Sequence, residues 1–301
     1  PNIPTISQFL ENNGQDIRTL YQSNNCWTSL KRAAGRIAYK DDVITKRLEK
    51  GMANLLHHNT ASFLHFIELF IDGSKQYLDT KNYKYALMLY YALFQDRLDK
   101  TGFASIYEAL ELIHKEMYSY FRQEISEIIS YLLAHLQLKT MPLGEDVLPG
   151  LELYGCYTRE EIFTLAGRQT EARKMQGSVT GVFNLSEHNA TLLFVTLNKS
   201  DKDFSPSTQY NDYLINEHYF HWQSQNTDSH QNNGGQRYTK QADTQNKIIL
   251  FVREEKKDGY GNTCPFHCFG LVEYMSSHDD FPMNITWKLQ QPAMAQYVKA
   301  I

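Results

Sequence analysis

The chain has 301 residues, of which 42% are hydrophobic, 13% aromatic and 21% charged, with a formal net charge of −4. This length accommodates two ordinary domains, and the acidic balance excludes a generally basic module that would bind nucleic acid by charge alone. The 4 cysteines show no repeated spacing and no run of about eighteen apolar residues occurs, so neither a disulfide framework nor a membrane partner is predicted. The chain starts at Pro1, without a Met or a signal peptide, and we expect a cytoplasmic protein that is a piece of a longer one.

Helical spacing of apolar residues dominates the first part of the chain. Asp41 or Asp42 can cap one helix, and two longer helices are predicted over 83–98 and 105–138. Proline, which would interrupt a helix, is almost absent from this region. We therefore predict an all-helical domain over 1–145.

The pattern changes after a stretch with two Pro and two Gly at 141–150, which predicts a domain boundary between 141 and 157. The capping box Thr158-Arg-Glu-Glu161 begins one more helix, after which apolar and polar residues alternate. Strands are predicted, the first two joined as a hairpin, over 179–185, 191–197, 247–253, 268–274 and 283–289. These elements predict an α+β protein in which a second domain, over 150–301, forms a curved β-sheet or barrel.

Catalytic motifs give little support to an enzyme. The sequence contains no GxxxxGK[ST], HExxH or GxSxG motif, so we expect no ATP hydrolysis by this chain. Glu254 and Lys256 have the E-x-K spacing of metal-dependent nucleases, in which a carboxylate holds Mg²⁺ and a lysine supports the attacking water. Such a site also needs an upstream acid, and the same residues are typical of a solvated strand end. A nuclease therefore stays an alternative.

Metal ligands are suggested by Cys264, His267 and Cys268, which lie close together in the sequence. A closed zinc site needs a fourth ligand, for which Cys156 or a distant His would have to serve. His57-His58 begins no spaced metal motif, and we expect ordinary helix residues there. We predict no metal and no cofactor in this chain.

An unusual polar and aromatic segment occupies 198–238 and ends in HYFHWQSQNTDSHQNNGGQRY. Aromatic faces stack on nucleic-acid bases, and Asp or Gln side chains can read a base edge, which favours a site for a base or another planar ligand. A buried aromatic cluster beneath a disordered loop is the competing interpretation. In both cases the amide-rich stretch 226–236 is predicted to be mobile.

Longer motifs in this half carry a family resemblance. FVTLNKSDKDFSPSTQYNDY, FHWQSQ, GQRY, ILFVREEKKDG and PMNITWKLQQP resemble the domain that closes many bacterial superfamily 2 helicase-like proteins, over about 157–289. The helical half resembles the segment that precedes this domain. Both parts are similar to the C-terminal region of SauUSI-like type IV, methylation-directed restriction endonucleases, which join a phospholipase-D-type nuclease, a helicase ATPase, a helical coupler and a target-recognition domain similar to the SRA (SET- and RING-associated) fold.

The resemblance implies a function for each half. Residues 1–145 would be the helical coupler, and residues 150–301 an SRA-like domain that recognises 5-methylcytosine, or 5-hydroxymethylcytosine, flipped out of duplex DNA. The implied partners are double-stranded DNA with a modified cytosine and the helicase and nuclease domains of the same parent chain. ATP and Mg²⁺ would serve those domains and not this fragment, which would be non-catalytic. A protein-interaction module remains a further alternative.

The pocket residues follow from the chemistry of the segment and not from the family. Alternation along a strand places Phe220, Trp222 and Ser224 on one face and His221, Gln223 and Gln225 on the other. The predicted base pocket has Trp222 or Phe220 as one stacking plate, Tyr210 or Tyr213 as the other, and Asp203 as acceptor for cytosine N4, with Ser224 beside them. The residues predicted to contact the surrounding DNA are Lys202, Ser205, His221, Gln223, Gln225, Arg237 and Tyr238.

Overall fold

A computed structural model describes residues 3–74, 80–175, 180–199 and 211–298. The chain forms two compact units. The helical unit contains residues 1–140 and 160–176, and the sheet unit contains residues 141–159 and 177–301. The chain thus leaves the helical unit, returns to it for one short segment, and leaves it again. No helix in the described ranges has the length and hydropathy needed to cross a membrane.

The helical unit is built from short and medium helices. They are α1 (Ile6–Asn13), α2 (Trp27–Ala33), α3 (Val43–Gly51), α4 (Ala61–Ile71), α5 (Thr80–Phe94), α6 (Leu98–Thr101), α7 (Ile106–Glu111), α8 (Ser119–Ala134) and α9 (Arg159–Leu165). Local sequence signals set several ends: the Asp42 carboxylate accepts hydrogen bonds from the backbone of Ile44 and Thr45, and Gly14 ends α1 at φ 61°. The predicted cap at Asp42 is therefore confirmed.

A single helix over 105–138, as the sequence predicts, does not form. Lys115 has an extended backbone (φ −67°, ψ 145°) between the 3₁₀ helices Leu112–His114 and Glu116–Tyr118. The guanidinium of Arg122 donates to the carbonyls of Ile113 and His114 at 3.2 and 2.8 Å. These contacts satisfy carbonyls that a continuous helix would otherwise have paired, so the break costs little.

The sheet unit contains a mixed sheet and short helices. Its strands are β1 (Met141–Pro142), β2 (Glu152–Leu153), β3 (Cys156–Tyr157), β4 (Val182–Leu185), β5 (Ala190–Asn198), β6 (Tyr213–Asn216), β7 (Tyr219–Gln223), β8 (Lys247–Glu255), β9 (Phe266–His278) and β10 (Asn284–Leu289). The helices are α10 (Asn233–Thr239), α11 (Gln241–Thr244) and α12 (Ala295–Val298). β1 pairs with β2 alone. The predicted hairpin is confirmed, with Leu185 opposite Ala190.

The main sheet has the order β4-β5-β8-β9-β10-β7-β6, with β3 also paired to β9. β5 and β8 are parallel, and the other pairs are antiparallel. The α+β prediction is confirmed. The prediction of a barrel is wrong, because closure would require β4 to pair with β6 and the described strands leave both at the ends of an open sheet. The crossover between β5 and β8 contains the β6–β7 hairpin, which extends the far edge and does not close the sheet.

Candidate nucleic-acid interface

The two faces of β6, β7 and β10 differ sharply. One side, called here the core face, carries Leu214, Phe220, Trp222, Ile285 and Trp287, all in the hydrophobic core of the unit. The opposite side, called here the open face, carries polar and aromatic side chains: Tyr213, Tyr219, His221, Gln223, Asn284 and Thr286. The structure therefore confirms the predicted alternation along β7, with Phe220 and Trp222 on one face and His221 and Gln223 on the other.

The core face holds the residues predicted as stacking plates. Trp222 is 4% exposed and Phe220 is fully buried. The Trp222 ring meets Tyr238 edge-on at 5.1 Å and lies 6.2 Å from Trp287. This placement corrects the predicted pocket, because these rings already pack against each other and present no surface to a base. It is the buried aromatic cluster of the competing interpretation.

Ser224 and Tyr238 also belong to the interior. The Ser224 hydroxyl accepts a hydrogen bond from the Met283 backbone at 2.9 Å and donates to the Gln225 carbonyl. The Tyr238 hydroxyl donates to the buried Asp228 carboxylate at 3.4 Å. Burial raises the pKa of Asp228, and hydrogen bonds from Gln225 and Tyr238 oppose that rise. These polar groups satisfy one another, so they stabilise the core and are not available to DNA.

The open face centres on a stacked pair. Tyr213 and His221 are cross-strand partners, and their rings lie 4.6 Å apart at an interplanar angle of 12°. Tyr213 is 44% exposed whereas His221 beneath it is 8% exposed. Thr286 on β10 is the next partner of His221 across the sheet. One face of the Tyr213 ring is thus backed by protein, and the residue leaves a large part of its surface to solvent.

A buried ion pair and amide contacts fix the neighbouring backbone. The Lys199 ammonium lies 2.5 Å from the Asp212 carboxylate, and their side chains are 8% and 4% exposed. Asp212 also accepts from the Gln223 backbone at 2.9 Å, and the Gln223 side chain accepts from the Asn211 backbone at 2.6 Å. Burial raises the pKa of Asp212 and Lys199 opposes the rise. Lys199 and Asn211, which flank segment 200–210, are therefore both anchored beside β7.

Several predicted contact residues fall in that segment. Lys202, Asp203, Ser205 and Tyr210 lie outside the described residues. The remaining ones are split: His221 and Gln223 are on the open face, whereas Tyr238 is in the core and Arg237 is its neighbour on α10. Gln225 is partly buried beyond the end of β7. The structure thus brings Tyr213, His221 and Gln223 together and separates them from Tyr238 by the thickness of the sheet.

The amide-rich stretch is folded, contrary to the predicted mobile loop. The Asn232 side chain accepts from the backbone of Gly235 and Ser229 at 3.0 and 3.2 Å and begins α10. It also donates to the Thr227 carbonyl at 2.7 Å. Short polar side chains can pair with nearby backbone groups, which lets a segment with few apolar residues keep one conformation.

A hydrogen-bonded chain fastens this stretch to the β9–β10 turn. His230 Nδ1 lies 2.8 Å from the Asp280 carboxylate, and its Nε2 lies 2.7 Å from the Ser277 hydroxyl. The Tyr274 hydroxyl forms a hydrogen bond with the same Ser277 hydroxyl at 2.7 Å. Carboxylate, imidazole and hydroxyl follow the order of a serine-hydrolase triad. The side chains of His230 and Asp280 are 36% and 39% exposed, so the group lies at the surface and not in an enclosed site. We interpret these hydrogen bonds as a structural contact, called here the latch, that holds the amide-rich stretch against the β9–β10 turn.

The other sequence candidates do not converge on a site. Glu254 is exposed at the end of β8, and no described group of three metal-ligating side chains includes it. His267 Nδ1 lies 2.7 Å from the Tyr297 hydroxyl, and burial lowers the pKa of His267 to about 4. Burial also raises the pKa of Cys268 to about 12. His267 and Cys268 are therefore packed in the interior of the sheet unit, and no described group of metal-ligating side chains includes them.

The architecture is that of an α+β protein with an open mixed sheet. Residues 151–300 match the family model described as "Domain of unknown function (DUF3427)". The match begins near the short strands that precede α9 and runs through the whole main sheet. No curated protein matches the chain.

Proposed function

We propose that this chain is the modified-DNA reader of a type IV restriction enzyme similar to the SauUSI-like enzymes. Residues 150–301 would be an SRA-like target-recognition domain for 5-methylcytosine or 5-hydroxymethylcytosine, and residues 1–145 the coupler to helicase and nuclease domains. The motif resemblance supports the class of protein. The stacked and exposed Tyr213 on the open face is the structural observation that carries the proposal.

The open face has the chemistry of a base-stacking surface. Stacking a base on an aromatic side chain stabilises a complex by about 1–3 kcal/mol, which can offset the few kcal/mol needed to extrude the base. Tyr213 is suited to this because His221 fixes its ring orientation. Trp222, the sequence choice, supports the same surface from the core face.

Segment 200–210 would complete the site. Its flanking residues Lys199 and Asn211 are both anchored beside β7, next to Tyr213. Asp203 would accept from cytosine N4 and Tyr210 would cover the second face of the base, while Lys202 and Ser205 would reach phosphates. In this proposal the anchors set where the segment meets DNA.

Discrimination by the methyl group alone is modest. Burying one CH₂-sized group is worth about 0.8 kcal/mol, roughly a fourfold preference. The net charge of −4 also gives this chain little general attraction to phosphates. We therefore expect most of the phosphate contacts to come from the helicase and nuclease domains of the parent enzyme.

Fluorescence anisotropy with matched methylated and unmodified duplexes tests the proposal. Wild-type protein should prefer the methylated duplex, and Tyr213→Ala should weaken that binding roughly tenfold, as expected for one lost stack. Tyr260→Ala is the matched control, because Tyr260 is 45% exposed and lies in the β8–β9 connection. Equal binding of both duplexes by wild type, or equal loss in the two variants, would contradict the proposal.

A further inference from the structure

A group of two imidazoles and a carboxylate lies within the helical unit. His57 and His58 follow the 3₁₀ helix Met52–Leu55 and precede α4, and Glu161 is on α9. The prediction that the two histidines are ordinary helix residues is wrong, because the chain turns there. No spacing of residues in the sequence marks this group, because 104 positions separate His57 from Glu161.

The three side chains converge at metal-binding distances. His57 Nε2 lies 2.8 Å from Glu161 Oε2, and His58 Nε2 lies 3.2 Å from Glu161 Oε1. One ligand atom from each residue lies within 4.8 Å of the other two. Zinc bonds to nitrogen and oxygen donors are about 2.0–2.2 Å long, so an ion between these atoms needs only small side-chain adjustments.

An unsatisfied buried imidazole is a second, independent observation. His58 is 2% exposed; its Nδ1 has no hydrogen-bond partner, and its Nε2 has only the ion-pair contact with the Glu161 carboxylate at 3.2 Å. Buried polar groups are normally paired, and a bound ion is one way to satisfy them.

The mixed set of ligand atoms indicates the class of metal. Two imidazoles and one carboxylate favour a transition metal over Ca²⁺ or Mg²⁺, which prefer oxygen ligands.

We propose that His57, His58 and Glu161 bind one divalent transition metal ion, for which Zn²⁺ is the probe. Three protein ligands leave a fourth position for water, and solvent reaches the group at the His57 side chain, which is 16% exposed. The ion would join the turn before α4 to α9 and so fasten residues 160–176 to the rest of the helical unit. This proposal is independent of DNA reading by the sheet unit.

Metal analysis of the whole chain is the test. Protein stripped with a chelator, given Zn²⁺ and dialysed should retain about one equivalent, and its melting temperature should rise by about 5 °C or more. His57→Gln and Glu161→Gln should abolish both effects. His65→Gln should keep both, because His65 is a histidine of α4 with a side chain 59% exposed.

The ligand set separates this site from a thiolate site. X-ray absorption of the zinc-bound protein should show only nitrogen and oxygen neighbours, whereas ligation by Cys264 and Cys268 would add sulfur at about 2.3 Å. Should Glu161→Gln fail to fold, the partly exposed His57→Gln decides the matter. No retained zinc in wild type, unchanged binding in His57→Gln, or sulfur ligation would each overturn the proposal.

Discussion

The middle of the sheet and its β6 edge differ in how apolar residues are distributed over the two faces. β5 and β8 are buried on both faces, so residues 192–195 and 248–252 form uninterrupted apolar runs. On β10 burial alternates along the strand, and β7 carries its apolar residues Phe220 and Trp222 on the core face, so both strands leave a polar, aromatic row on the open face. The centre of the sheet therefore supplies stability, whereas the open face of β6, β7 and β10, with its polar and aromatic side chains, is the surface on which a function should be sought.

The largest effect should come from the core face. Trp222→Ala removes a ring packed among Tyr238 and Trp287 and should lower the free energy of unfolding by about 3–5 kcal/mol. Urea unfolding measures this loss, and Trp222→Phe should recover part of it. Tyr213→Ala should change stability little, since the ring is at the surface. Equal stability of Trp222→Ala and wild type would remove the distinction between the two faces.

The anchor beside the open face should matter next. Lys199→Met leaves the Asp212 carboxylate buried without its cation and should cost about 3 kcal/mol, the lower end of the range for breaking a buried pair. The Gln223 backbone still donates to Asp212, which limits the loss. Replacing both residues, as Lys199→Met with Asp212→Leu, should be better tolerated than the single change. The same unfolding experiment checks this, and a harmless single variant would show that the pair does not stabilise the unit.

A smaller loss is expected in the amide-rich stretch. A Cβ at Gly235 would lie 2.0 Å from the Ser229 carbonyl oxygen, so Gly235→Ala should cost about 1–3 kcal/mol through overpacking. Gly259→Ala is the control, because a Cβ there meets nothing within 4 Å. Thermal melts of the two variants provide the measurement. Equal melting temperatures for Gly235→Ala and Gly259→Ala would show that the stretch is not folded as described.

The latch should give the smallest and most local effect. Hydrogen bonds from the His230 backbone and ring lower the pKa of Asp280 below its ordinary value of 3.8. A lowered carboxyl pKa stabilises the fold above the unfolded value, and that contribution is lost as pH falls through the folded value. The protection of residues 226–236 against hydrogen exchange, measured relative to an unstructured peptide at the same pH, should therefore fall below about pH 4 in wild type, and in Asp280→Asn already at neutral pH.

The latch also has a chemical control. A fluorophosphonate probe labels activated serines, and we expect no labelling of Ser277. Labelling that disappears in His230→Ala would show that the Asp280–His230–Ser277 chain acts as a catalytic triad.

The sequence predicted elements best where one local signal was enough. The Asp42 cap, the β4–β5 hairpin and the strands β8 to β10 follow from spacing and turn residues. The break at Lys115 was not predicted, because the hydrogen bonds that replace those of a continuous helix come from the side chain of Arg122, beyond the break. The folded amide stretch escaped it because its stability comes from polar pairing and not from apolar periodicity.

The candidate site was predicted only in part. Alternation correctly separated Trp222 from His221, but alternation does not tell which face is covered. That depends on α10 and its buried Tyr238, which lie later in the sequence than β7. The convergence of His57 and Glu161 depends likewise on the return of 160–176 to the helical unit.

Photo-crosslinking tests most directly which face reads DNA. A duplex carrying 5-iodocytosine in place of 5-methylcytosine would be irradiated with the whole chain, and the linked peptides identified by mass spectrometry. The proposed function predicts cross-links at Tyr213 or within 200–210. A methylated competitor duplex should reduce these cross-links strongly, whereas an unmodified competitor duplex should reduce them little. Cross-links confined to α10, at Arg237 for example, with none at Tyr213 or in 200–210, would contradict it.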